Sequence, residues 1–267
     1  MGSISDYLEN KLLDHVLGNT AYTPAATIYL ALCDTDPTDA AADDGGANQI
    51  SEPAGNGYTR KAITFDAAAS RAIANALVTF DQASGAWGDM THFAICSVAT
   101  AGTGEVLAHG ALSETKSVVS GNTPSVAAGQ ATISFNAGAV ADYLANKLLD
   151  FAFRNQAFTQ PTIYAAVTTA TIGDTDTGST ITEPAAGAYA RKAHAAWDAA
   201  AAGASENTGA LTFATATASW GTIVAGALLD ALSAGNLLVY DNDVADQAVG
   251  TDDVVEFADG AFDVSLS

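Results

Sequence analysis

Basic residues are scarce in this sequence: 9 Lys and Arg stand against 30 Asp and Glu, a formal net charge of −21. A nucleic-acid binder needs a basic patch to neutralise phosphates, and an anionic membrane surface would repel this chain in the same way. Nucleic acid and membrane are therefore not expected partners. Acidic surplus suits a protein that must stay dispersed, including in salty water where counterions screen self-repulsion. Cysteine is nearly absent. Cys33 and Cys96 have no C-x-x-C pattern around them, so two free thiols in a reducing compartment are expected, with a disulfide as the alternative. No basic leader followed by an apolar core opens the sequence, and no apolar run is long enough to span a bilayer.

Catalytic signatures are missing too. There is no G-x-S-x-G, and the G-T-G at Gly102–Gly104 lacks the remaining glycine of a dinucleotide loop, so it reads as a turn. His15, His92, His109 and His194 show no metal-ligand spacing. The acidic stretch CDTDPTDAAADDGG has Asp39 where an EF-hand needs glycine and Gly45 where it needs glutamate. A weak calcium site in the Asp-rich loops stays open as an alternative to solvated loop tips. No catalytic residue, cofactor or metal ligand is expected, and the chain reads as a non-enzyme.

What is present is a repeat. DYLENKLLDHVLGN from Asp6 returns as DYLANKLLDFAFRN from Asp142, and ISEPAGNGYTRKA from Ile50 returns as ITEPAAGAYARKA from Ile181. LVTFDQASGAWG, ending at Gly88, returns as ALTFATATASWG, ending at Gly221. The offset slides from 136 (Asp6 against Asp142) to 131 (Gly104 against Gly235). This is a tandem duplication of a unit of roughly 130 residues, large enough to bury its own core. The predicted domains are residues 1–138 and 139–267, with almost no linker near Asn136–Ala139.

Each copy opens with an amphipathic helix, Leu8, Leu12, Leu13, Val16 and Leu17 marking its apolar side in the first. Asp6 and Glu9 read as a capping box and Gly18 as the stop. Short runs rich in Thr, Ile, Val, Tyr and Phe follow, broken by Gly, Asn, Asp and Pro. They predict a mainly β chain of two tandem antiparallel β-sandwich-like domains. DAAASRAIANAL is compatible with helix or strand.

Tyr58, Arg60 and Lys61, with Tyr189, Arg191 and Lys192, stand out because cations are so few. They are the interface candidates, since Tyr and Arg often anchor contacts. The competing reading pairs each Arg with Glu52 or Glu183. Trp87-Gly88 and Trp220-Gly221 read as core, the glycine easing entry to the next strand. His15, which is Phe151 in copy two, reads as packing.

The succession YLENKLLDH, PAATIYLAL, DTDPTDA, EPAGNGYTRKAITF, WGDMTHFAI and GEVLAHGALSETK, closed by ATISF, resembles a short domain family of tailed bacteriophages. Its members are usually described as phage tail-fibre-like or small virion structural proteins. The resemblance covers nearly all of copy one and about half of copy two. Copy two departs after Trp220, where GTIVAGALLDAL lacks the Thr-His pair and DNDVADQAVGTDD replaces the expected segment. The resemblance implies a non-enzymatic virion component, assembled in the host cytoplasm. A capsid decoration, cement or head-fibre protein is the leading expectation. A tail-fibre or receptor-binding component is the second, and a hydrolase of host envelope sugars the third. Expected partners are other virion proteins, the major capsid protein or tail proteins, and further copies of the chain. A homo-oligomer is expected, with a trimer as the arrangement that would present six similar domains.

Overall fold

The computed structural model describes residues 2–38, 50–136 and 140–266. Much of the first acidic loop, with Asp39, Asp43, Asp44 and Gly45, and most of the predicted domain boundary lie outside them. Among the described residues the chain is mainly β with two helices, α1 (Asp6–Val16) and α2 (Asp142–Arg154). It divides into two compact units. Unit 1 comprises Met1–Asn10, Thr23–Phe135 and Asn146–Phe158, and unit 2 comprises Lys11–Tyr22, Asn136–Ala145 and Thr159–Ser267.

Unit 1 carries nine strands: β1 (Gly2–Ile4), β2 (Ile28–Cys33), β3 (Lys61–Ile63), β4 (Ala72–Ala74), β5 (Val78–Thr79), β6 (Gly88–Cys96), β7 (Val106–Val118), β8 (Ser125–Val126) and β9 (Thr132–Ser134). Seven form one sheet in the order β3-β2-β6-β7-β1-β9-β4, and β5 pairs with β8. Every pairing is antiparallel except β1 with β9. The entering strand β1 is thus internal to the sheet. Gly2 sits opposite Gly110 there, and a Cβ on Gly2 would come within 2.7 Å of the His109 carbonyl oxygen. Alternation along β2 and β6 puts Ala31, Cys33, Ala94 and Cys96 in one buried cluster with Ile50 and Val106, and Tyr7 packs against it. Both thiols are free. Burial raises them, Cys96 to about 12, and makes them inert.

Unit 2 carries β10 (Tyr164–Thr168), β11 (Lys192–Ala193), β12 (Ala204–Glu206), β13 (Leu211–Thr212), β14 (Gly221–Ile223), β15 (Ala225–Leu229), β16 (Leu237–Asp241), β17 (Gln247–Val249), β18 (Glu256–Phe257) and β19 (Asp263–Ser265). Its sheet has four strands in the order β11-β10-β15-β16, beside the two-stranded ladders β12-β19, β13-β18 and β14-β17. The long β6–β7 hairpin of copy one is divided here. β14 and β15 take the place of β6, and the DNDVAD stretch separates β16 from β17.

Local chemistry sets the helix ends. Asp6 was the expected cap, yet the first helical turn closes on Ser5. Its carbonyl accepts the Glu9 N–H at 2.9 Å and its hydroxyl oxygen the Leu8 N–H at 3.4 Å. Because β1 ends at Ile4, the non-helical residue that can cap is Ser5, and Asp6 becomes the first helical residue with its charge near the dipole's positive end. The Ser5 hydroxyl also donates to the Val106 carbonyl at 2.6 Å, joining the cap to β7. Copy two has Ala141 at this position, and the Asp174 carbonyl accepts the Asp142 N–H instead, at 2.9 Å. At the other end Gly18 adopts φ +84°, as a stop should. Arg154 at the equivalent position lets α2 run two residues longer, and Asn155 takes the left-handed conformation at φ +52°.

The ambiguous DAAASRAIANAL is not helical. Ser70 and Arg71 lie at φ +49° and +64° between bridged Ala69 and Ala72, a two-residue hairpin turn leading into β4. Ala202 and Gly203 repeat it in copy two at +49° and +71°. Asn75 and Asn207 then close each hairpin from inside. Each side-chain amide donates to two carbonyls, and its oxygen accepts the N–H of Ala131 or Phe262 at 2.8 Å.

Replacing Ser5 by Ala should destabilise the protein by about 1–2 kcal/mol in denaturant titration, through loss of a cap and a buried hydrogen bond. Ser3→Ala, at an exposed neighbour in β1, should change stability by less than about 0.5 kcal/mol.

Candidate functional site

The Tyr-x-Arg elements sit where the chain enters β3 and β11, each preceded by a turn with left-handed glycines, Gly55 and Gly57 in copy one and Gly187 in copy two. These turns swing the tyrosine inward and leave the arginine, two residues on, under the same sheet edge. Both arginines are buried, Arg60 at 3% and Arg191 at 6% exposure. A buried guanidinium must be paired, and each pairs with the carboxylate eight residues earlier.

Arg60 grips Glu52 as a fork, Nε to Oε1 at 2.9 Å and Nη2 to Oε2 at 2.6 Å. Its remaining nitrogen, Nη1, donates to the carbonyls of Val98 and Thr103, both at 2.9 Å. The Tyr58 hydroxyl donates to Glu52 Oε1 at 2.8 Å while accepting the Leu32 N–H at 3.1 Å. Gly102 N–H adds a contact to Glu52 Oε2 at 3.2 Å. One ion pair thus fastens β2, the approach to β3 and the β6–β7 loop, and the G-T-G segment is the turn it clamps.

Copy two builds the same device from different loop residues. Arg191 Nε and Nη2 bind Glu183 at 3.0 and 2.7 Å, Nη1 donates to the carbonyls of Ala231 and Ala234, and Nη2 also to that of Gly178. Tyr189 donates to Glu183 at 2.7 Å and accepts the Val167 N–H at 3.1 Å. An aromatic trio backs each tyrosine. Tyr58 stacks on Phe80 at 6.2 Å and meets Trp87 edge-on at 5.2 Å; Tyr189 repeats both distances with Phe213 and Trp220. The tryptophan N–H groups donate to the carbonyls of Asn56 and Gly187, and Gly88 and Gly221 follow at φ +95° and +87°. The tryptophan is core in both copies, as the sequence indicated, while the glycine after it is exposed at the entry to the next strand.

The six candidates therefore divide. Tyr58, Arg60 and Arg191 are buried and Tyr189 half-buried, all engaged internally. Lys61 reaches Asp81 at 2.5 Å on the surface and holds that carboxyl below its ordinary range. Lys192 is exposed, and Ala214 stands where copy one has Asp81. The glutamate and the clamped loop were harder to find than the arginine. The recurring Glu-x5-Tyr-x-Arg spacing signals the first, and only the fold shows the second.

The histidines differ from one another. His15 is buried, and its Nδ1 accepts the Tyr22 N–H at 3.1 Å. His109 Nδ1 and His92 Nε2 lie 3.6 and 3.9 Å from the Asp36 carboxylate. Among the described residues no group of three or more His, Cys, Asp or Glu could hold a metal ion, and no helix is long and apolar enough to cross a membrane.

Arg60→Ala should cost about 3–5 kcal/mol in denaturant titration, because it strands the buried Glu52 carboxylate. Arg60→Lys should recover only part of this, since an ammonium cannot reproduce the fork. The tyrosines give a pH test. Burial first, and the adjacent glutamate second, push the Tyr58 and Tyr189 hydroxyls well above the ordinary value of about 10. The folded state then holds these protons more tightly than the unfolded state, so stability is full below about pH 10 and declines above it. Ultraviolet titration should show Tyr58 and Tyr189 ionising only on unfolding, and Tyr58→Phe should remove one such transition.

Compared with known families, the chain matches the model described as podophage GP4 fiber I protein gp80 twice, over residues 3–134 and again over 139–265. A search of curated proteins found no match.

Proposed function

Since the chain belongs to the podophage GP4 fiber I gp80 family through two tandem matches, and is thereby a structural protein of the phage-fibre kind, we propose that it stands on the virion as a non-enzymatic head-fibre or capsid-decorating subunit. The observation that carries this reading is how the polar residues shared by the copies are used. Glu52, Tyr58 and Arg60, like Glu183, Tyr189 and Arg191, are committed to bracing the fold, the tyrosine and arginine of each set both bound to its glutamate. An acidic surface favours dispersal of free subunits before assembly. The partners in this reading are other virion proteins, the major capsid protein first, and further copies of the chain. Three duplicated chains would supply six similar domains, residues 1–138 and 139–267 of each, to a three-fold or six-fold lattice position. Of the two Tyr-x-Arg-Lys elements the lysines are the members that would make such contacts, Lys192 exposed and Lys61 paired with Asp81 at the surface.

Quantitative densitometry of purified particles, with antibody labelling in electron micrographs, tests the assignment. Hundreds of copies distributed over the head are expected. A handful of copies at the tail tip would overturn the assignment in favour of a tail fibre that contacts the host cell.

A further inference from the structure

The two compact units do not follow the repeat in sequence. Unit 1 is copy one without Lys11–Tyr22 but with Asn146–Phe158, the later part of α2 and its exit; unit 2 holds Lys11–Tyr22, the corresponding part of α1. The contacts that fasten these segments are made twice, in opposite directions. Inside unit 1, Asp150 Oδ1 accepts the Ala68 N–H at 2.9 Å and Asn146 Oδ1 accepts the Arg71 N–H at 3.0 Å. Phe153 packs against Phe65 at 5.6 Å, beside a cleft of about 300 Å³ lined by Ile28, Ile63, Phe65 and Phe153. Inside unit 2, Asp14 Oδ1 accepts the Ala200 N–H at 2.9 Å and Asn19 donates to the Asp198 carbonyl at 2.8 Å. A matching cleft of about 270 Å³ there is lined by Leu17, Ile163 and His194.

Asp14 and Asp150 are equivalent positions of the repeat, as are Ala68 and Ala200. A helix from each copy therefore makes the same carboxylate-to-hairpin bond with residues of the other copy. The anchor lies two residues before the left-handed pair of the turn, Ser70–Arg71 in copy one and Ala202–Gly203 in copy two. The exchanged segments also carry apolar side chains that are all buried: Leu12, Leu13, Val16 and Leu17 in one, Leu148, Leu149, Phe151 and Phe153 in the other.

We propose that the two copies are interlocked by this reciprocal exchange of helix ends, so that the backbone between Asn136 and Val140 is not needed to hold the folded protein together. The binding partner of each copy's helix end is the other copy's hairpin. This holds whether or not the protein decorates a capsid.

The test uses the full chain with a protease recognition sequence inserted between Asn136 and Val140, folded and then cut. Two bands on a denaturing gel with undiminished elution near 26.9 kDa on a sizing column is the expected result. Separation into species of half that size would overturn the interlock. In the cut protein, Asp14→Ala with Asp150→Ala should speed separation about tenfold or more, since each removes a charged hydrogen-bond acceptor. Separation at the unchanged rate would overturn the exchange as the element that holds the pair. Amide exchange in the uncut wild type gives a readout independent of the variants' folding. The N–H groups of Ala68 and Ala200 should be strongly protected, and exchange as fast as in an exposed turn would overturn the assignment.

Discussion

A guanidinium buried with its carboxylate constrains everything around it. Removing two charges from water is costly, and the cost is offset only when every donor and lone pair finds a partner in good geometry. Beyond the two bonds of their own fork, Arg60 and Glu52 enlist Tyr58, two carbonyls of the β6–β7 loop and a glycine N–H. The loop must then hold one shape, the turn before Tyr58 must swing inward, and the tryptophan behind it must fill the remaining volume. A scarce cation is thus spent inside the protein, in a chain whose surface is overwhelmingly acidic.

The repetition of this brace shows which parts of it are essential. Both copies keep the Glu-x5-Tyr-x-Arg spacing, the stacked Phe and the edge-on Trp, with ring separations that agree. The clamped loops share neither sequence nor length, yet each offers two carbonyls to the same nitrogen. Backbone carbonyls are available in any loop, so the clamp tolerates divergence there. The strand hairpin beyond it diverges more: one strand pair in copy one, its register shifted between Met90 and His92, becomes two separate short ladders in copy two.

Much of this was legible in the sequence because it is local or repeated. The duplication, the two helices, the core tryptophans and the Arg–Glu pairing all follow from spacing and from the scarcity of cations. The cap at Ser5 was misread as Asp6, since both residues can cap and the end of β1 decides between them. DAAASRAIANAL was ambiguous because alanine favours helix, while its left-handed Ser70–Arg71 turn carries no glycine. Least legible was the grouping of the helix ends. The apolar stripes of DYLENKLLDHV and DYLANKLLDFAFR are nearly the same, so periodicity shows that each is buried without showing which hairpin receives it. Asp14 and Asp150 look like ordinary solvent-facing acids until Ala200 and Ala68 are seen beside them.

The entry of the chain has a mechanical meaning. β1 lies between β7 and β9, antiparallel to one and parallel to the other, and Ser5 ties its end to Val106. A peripheral strand tugged from its end peels away one bond at a time. A strand inserted between two neighbours and drawn along its own axis must slide, so its bonds on both sides bear the tension together. Glycine at Gly2 and Gly110 lets the strands approach closely enough to make those bonds, with the Phe93 ring beside the pair. Load drawn along β1 is therefore taken up as shear across the seven-stranded sheet of unit 1.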